Sequence, residues 1–148
     1  MFRNDPAQEI EKIKRKDKVI FVGATAAKMW GMTTNFDKKI WVSTQEDLSS
    51  MERVETVDWG VKYAQTENLN DKILTTRERT VIDVLENSER FETGLEYEVV
   101  KWVMWETAKP RNKQKFNPQV FSELLSDSRK AKETFRRMRR MIKDGDEG

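Results

Sequence analysis

The chain contains no cysteine and no histidine. Without cysteine there can be no disulfide and no thiolate zinc site. Without histidine the commonest general base and the commonest transition-metal ligand are missing, and with them every serine–histidine or cysteine–histidine nucleophile. Asp, Glu, Lys, Tyr, Ser and Thr are left for chemistry. No run of eighteen apolar residues occurs, so no transmembrane helix is predicted. The opening MFRNDPAQEIEKIKRK lacks the apolar core of a signal peptide, which makes a cytoplasmic location the expectation. Internal repeats and low-complexity linkers are absent too, and residues 1–148 read as a single domain of ordinary size.

Apolar residues make up 36% of the chain and charged residues another 36%. A core is still within reach, because the apolar set includes large side chains: five Trp, seven Phe and seven Met. The formal net charge of +2 conceals an asymmetry. Residues 109–143 hold 12 basic and 3 acidic side chains, a local net charge of +9, whereas residues 1–108 carry −4 and the tail DGDEG −3. The last quarter is thus a concentrated positive region, suited to nucleic acid or to an acidic partner.

The pattern predicts an α+β fold: a small mixed or antiparallel sheet with helices over residues 1–90, and a helical C-terminal half over 91–148 with a basic last helix. A first helix is predicted over 6–16, with Ile10 and Ile13 on one face and Lys12, Lys14, Arg15 and Lys16 on the other. Residues 19–22 read as a buried strand, followed by a helix with Ala26, Met29 and Trp30 facing inward and Gly31 as its C-terminal cap. Residues 39–43 suit a strand. Residues 53–57 and 61–64 suggest a hairpin around Asp58-Trp59-Gly60. After a turn over 68–71 and a strand over 72–74, Thr75 and Glu78 fit a capping box that opens a helix ending near Asn87. A second helix is predicted over 91–109, stopped by Pro110. A basic loop and a short helix after Asn117-Pro118 follow. Asp127 or Ser128 then caps the last helix, which runs to about Lys143 with Ala131, Phe135, Met138 and Ile142 as a narrow apolar stripe.

Candidate sites are few. Gly23-Ala24-Thr25, between strand and helix, is loosely similar to the start of a nucleotidyltransferase. The pair of carboxylates that would hold two magnesium ions is missing, with only Asp37 nearby. Arg79 and Asp83 stand four apart on one helix and can form an ion pair. Of the tryptophans, Trp30, Trp41 and Trp102 suit a core, while Trp59 and Trp105 fall off the apolar stripes and are the better surface candidates for stacking. The basic candidates for binding nucleic acid or an acidic partner are Arg111, Lys113 and Lys115 in the loop, and Arg129, Lys130, Lys132, Arg136, Arg137, Arg139, Arg140 and Lys143 in the last helix. Glu133 is the only acid within 129–143. No catalytic residue, metal site or cofactor is expected.

Two segments carry a family resemblance, VIFVGATAAKMWGM (19–32) and ILTTRERTVIDVLEN (73–87). In that order they resemble the C-terminal domain of the AbiEi-type antitoxins of bacterial abortive-infection (type IV toxin–antitoxin) systems. Ala26, Trp30, Gly31 and Met32 match its small-residue helix, and Glu78, Arg79, Thr80 and Asp83 its ERT-x-x-D helix. The resemblance spans about residues 19–89. It implies a non-enzymatic regulatory or antitoxin role in antiviral defence, by transcription regulation of a cognate toxin operon through DNA binding or by opposing a nucleotidyltransferase toxin. Such antitoxins usually begin with a winged helix-turn-helix, which the roughly eighteen residues before the first strand are too few to form. Two other expectations stay open: a protein-binding inhibitor, such as a phage or plasmid counter-defence protein, and a catalytically dead nucleotidyltransferase-like domain with a nucleotide pocket near Gly23–Thr25.

Overall fold

The computed structural model describes residues 6–13 and 19–147. Among these, six α-helices and a five-stranded mixed sheet form an α+β fold with a helical C-terminal half. The order is α1 (Pro6–Ile13), β1 (Ile20–Phe21), α2 (Gly23–Met29), β2 (Ile40–Ser43), β3 (Val54–Thr56), β4 (Thr66–Leu69), β5 (Lys72–Thr75), α3 (Arg77–Glu86), α4 (Leu95–Thr107), α5 (Pro118–Ser126) and α6 (Arg129–Glu147). Lys14, Arg15 and Lys16 lie outside the described residues.

The sheet runs β3-β2-β1-β5-β4, with β1/β5 and β2/β3 parallel and β1/β2 and β4/β5 antiparallel. Alternate residues of a strand face opposite sides. Ile40 and Val42 accordingly pack with Ile10 and Ile13 of α1, whereas Trp41 between them joins the helical core on the other side. That larger cluster runs from Val22 through Val81, Val84 and Leu85 of α3 to Val99 and Val103 of α4 and Met138 and Ile142 of α6. α3 is at its centre and touches α2, α4, α5, α6 and β5.

The end of α2 follows from Gly31. Its φ of +81° is a left-handed conformation that glycine adopts without penalty. The Gly31 N–H then donates to the Lys28 carbonyl (3.1 Å) and the Met32 N–H to that of Ala27 (2.9 Å), a Schellman ending.

Several predicted boundaries need correction. The hairpin around Asp58-Trp59-Gly60 is not formed: β3 pairs in parallel with β2, and 61–64 is not a strand. The tight hairpin is β4–β5, where Asn70 (φ +48°) and Asp71 (φ +67°) supply the two positive φ values of a two-residue turn. The cap of α3 is Thr76, whose hydroxyl accepts from the Arg79 N–H at 3.2 Å. Thr75 is instead the buried last residue of β5, its hydroxyl bonded to that of Thr80 at 2.7 Å. Glu78 therefore falls one position too early to complete a capping box. α4 begins at Leu95, after Gly94 at φ +98°, rather than at Phe91. α6 is capped by Ser128, whose Oγ accepts from the Ala131 N–H at 3.1 Å, and continues past Lys143 to Glu147.

Candidate nucleic-acid interface

α6 buries Ala131, Thr134, Met138 and Ile142 against α3 and α4. At 3.6 residues per turn, that stripe sets the direction of every other side chain on the helix. Lys132, Arg136, Arg139 and Lys143 fall at i, i+4, i+7 and i+11, along one line on the outer surface. Arg140 borders that line. All five are exposed, and none makes an ion pair or side-chain hydrogen bond among the described residues.

The remaining cations of α6 are placed differently. Arg129 pairs with Glu133 at 3.3 Å and Lys130 with Glu89 at 2.7 Å. The Lys130 hydrogen bond holds the Glu89 carboxyl below its usual range. Arg137 is exposed on the same flank as Lys130 and Glu133. The eleven predicted basic residues are thus placed differently: five on α6 form a band without ion pairs among the described residues, and Arg137, also without one, stands on the other flank.

The three loop candidates lie between α4 and α5. Arg111 and Lys113 are exposed in a short 3-10 turn, Arg111–Lys113, and Lys115 is exposed just after it. Two acids that sequence reasoning left without this role anchor the segment. Glu106, 2% exposed on α4, accepts from the Lys115 N–H at 2.7 Å and from Lys109 Nζ at 2.9 Å. Burial pushes its carboxyl up, and those two bonds carry it below the ordinary value. Glu78 accepts from the Asn117 N–H at 3.3 Å, and burial raises its pKa. Gln114 Nε2 donates to the Lys109 carbonyl at 2.9 Å. An acid on an apolar stripe, as Glu106 is beside Val99 and Val103, was the available signal.

Arg111 and Lys115 line a polar groove of about 710 Å³ that also holds Glu67 and Glu78, so its charge is mixed. Arg139 and Lys143 line a second, more apolar groove of about 460 Å³ with Met104, Phe121, Leu125 and Phe135. The two grooves share Phe116 and Pro118 in their linings.

The residues matching the antitoxin motifs are largely enclosed. Ala26 is fully buried, and Trp30 donates from Nε1 to the Thr75 carbonyl at 2.8 Å while Arg77 lies over its ring. Arg79 donates from Nε to Asp83 Oδ1 (2.8 Å), from Nη1 to Gln65 Oε1 (2.9 Å) and from Nη2 to the Trp59 carbonyl. Desolvation raises the Asp83 pKa to about 7 against the pull of Arg79.

Trp59, predicted as a surface candidate, is half-buried. It stacks on Trp41 at 6.0 Å between centroids and meets Phe91 edge-on at 6.0 Å. The rings of Phe91 and Trp59 fill the space over Gly23, where a Cβ would lie 2.8 Å from Phe91 Cζ. Gly23, at φ +54°, thus allows the close packing of these rings against the start of α2. Trp105 remains on the surface.

Among the described residues no group of three or more acids is placed to hold a metal ion, and no helix is long and apolar enough to cross a membrane. No protein-family model matches the chain, and comparison with curated proteins and with solved structures finds no match.

Proposed function

We propose that this protein is a non-enzymatic regulator that binds nucleic acid through the outer face of α6, with Arg111, Lys113 and Lys115 extending the contact. The observation that carries the reading is the line of Lys132, Arg136, Arg139 and Lys143, with Arg140 beside it, exposed and without acidic partners among the described residues. Cations held in a row on a rigid helix meet successive phosphates and release their counterions, which drives binding. The antitoxin and abortive-defence role and a toxin operon as target rest on the resemblance of residues 19–32 and 73–87 to AbiEi-type domains, and a cytoplasmic setting rests on the polar opening segment.

Fluorescence anisotropy with labelled duplex DNA, single-stranded DNA and RNA at about 50 and 200 mM salt tests this reading. Affinity falls steeply with salt. The triple variant R136E/R139E/R140E loses on the order of a hundredfold while its circular dichroism is unchanged. Unchanged affinity in that variant would refute the proposal.

A second reading, a protein-binding inhibitor, is favoured by one observation: the apolar groove lined by Met104, Phe121, Leu125 and Phe135 suits the apolar face of an amphipathic segment. It predicts a complex with little dependence on salt.

A further inference from the structure

Trp105 is 69% exposed, more than any other large apolar side chain among the described residues. It projects from the outer surface of α4, away from the buried Val99 and Val103, and the buried Glu106 next to it borders the same groove. Lys101 precedes it by one turn on α4, and Lys109 lies two residues past the end of the helix; both line the same groove as the indole. Beside the indole runs a groove of about 410 Å³, between α4 and residues 31–34, lined by Met32, Thr34, Glu98 and Trp102 among others. That volume is in the range of sites for small organic groups.

The electrostatics of this place differ from those of α6. Lys109 donates to Glu106 at 2.9 Å, and Glu98 faces the same groove as Lys101. The local charge is close to balanced. What the site offers is an open aromatic face with polar margins, which suits a flat aromatic ligand that itself carries hydrogen-bonding edges. The other margin of α4, at Met104 and Ala108, lines the groove that holds Arg139 and Lys143. About one helix width, roughly 10 Å, therefore separates the indole from the basic band.

We propose that Trp105 is a stacking platform for an unpaired base, so that the nucleic acid bound by this protein is single-stranded: its phosphates lie on the α6 band and one base lies on the indole. The inference rests on the nucleic-acid reading above and adds to it the class of ligand. A duplex keeps its base faces inside the stack, whereas a single strand presents them, and stacking on an aromatic ring accepts any base.

The test is anisotropy with three labelled probes: an oligo(dT) of about 12 nucleotides, an abasic strand of the same length and a duplex. Trp105→Ala lowers affinity for oligo(dT) by about 5- to 100-fold, Trp105→Phe retains most of it, and neither changes binding of the abasic strand or the duplex. The loss is the same at about 50 and 200 mM salt, because stacking releases no counterions. An Ala variant that binds oligo(dT) as the parent does overturns the proposal, as does equal loss on the abasic strand. If the duplex still binds in a salt-dependent way, the α6 reading survives that failure. If the parent protein binds none of the three probes, both fall.

Discussion

Asp83 is fully enclosed, yet only one of its carboxylate oxygens has a hydrogen-bond partner among the described residues; Oδ2 has none there. Arg79 bridges it to Gln65 and to the Trp59 carbonyl, so this one side chain ties α3 to the loop between β3 and β4. Removing one member of a buried ion pair strands the other, at a cost of about 3–5 kcal/mol. Arg79→Ala is therefore expected to lower urea stability by about that amount, whereas an exposed change such as Arg137→Ala stays within about 0.5 kcal/mol. Burial also sets a pH dependence. With Asp83 raised from 3.8 to about 7, the folded state binds more protons than the unfolded state between those values. Stability from this group is fully present below about pH 4 and is lost as pH rises toward 7, at up to about 1.4 kcal/mol per unit. Glu78, raised by burial, acts in the same direction, while the lowered Glu89 and Glu106 act oppositely at more acidic pH. Urea titrations at about pH 5 and 7.5 should show the decline in the parent and a flatter profile in Asp83→Asn. Equal slopes would show that Asp83 stays ionised against Arg79 throughout.

At the scale of elements, α6 was the most legible part of the chain and the sheet the least. Ala131, Phe135, Met138 and Ile142 recur at helical spacing, and one apolar stripe is enough to fix which cations face out. The same logic makes the band testable within the helix. R136E/R139E/K143E reverses three members of the outward line, whereas K130E/R137E touches only the flank where Lys130 already pairs with Glu89. The first should lower the slope of log K against log salt by about 2–3, and the second by less than 1. Equal effects from both would mean that the helix acts as diffuse charge. The sheet could not be read this way, because its pairings are long-range. β1 lies parallel to β5 some fifty residues later, and β2 parallel to β3, neither of which leaves a local turn signal. Asp58-Trp59-Gly60 has the composition of a hairpin turn, but Trp59 is drawn onto Trp41 and Phe91 and its carbonyl onto Arg79. Tertiary contacts there outweigh turn chemistry. Glu106 and Glu78 were hidden for the same reason: their partners, the Lys115 and Asn117 amides, are 9 and 39 residues away in sequence.

For the whole molecule, the decisive element is α3. Of its ten residues, seven are buried: Glu78, Thr80, Val81, Ile82, Asp83, Val84 and Leu85. They span all sides of the helix rather than one stripe, so α3 requires cover in every direction. α2 and β5 cover it from residues before 90, and α4, α5 and α6 from residues after. Val81, Val84 and Leu85 accordingly share one cluster with Val99, Val103, Met138 and Ile142. The antitoxin-like segments and the basic helix are thus parts of a common core, and the charged band is fixed in place by the element that carries the ERT-x-x-D residues. A fragment ending at residue 90 would expose the α4 and α6 sides of α3, and burying a Val or Leu is worth about 1.5–3 kcal/mol per side chain. Against the few kcal/mol of net stability typical of a domain, that loss is decisive. The full chain is expected to unfold in one transition, with tryptophan fluorescence and far-ultraviolet circular dichroism coincident, and the 1–90 fragment to show no cooperative transition at all. A fragment that melts cooperatively would mean that α3 finds other cover, and that the basic helix is an appendage whose orientation the rest of the chain does not dictate.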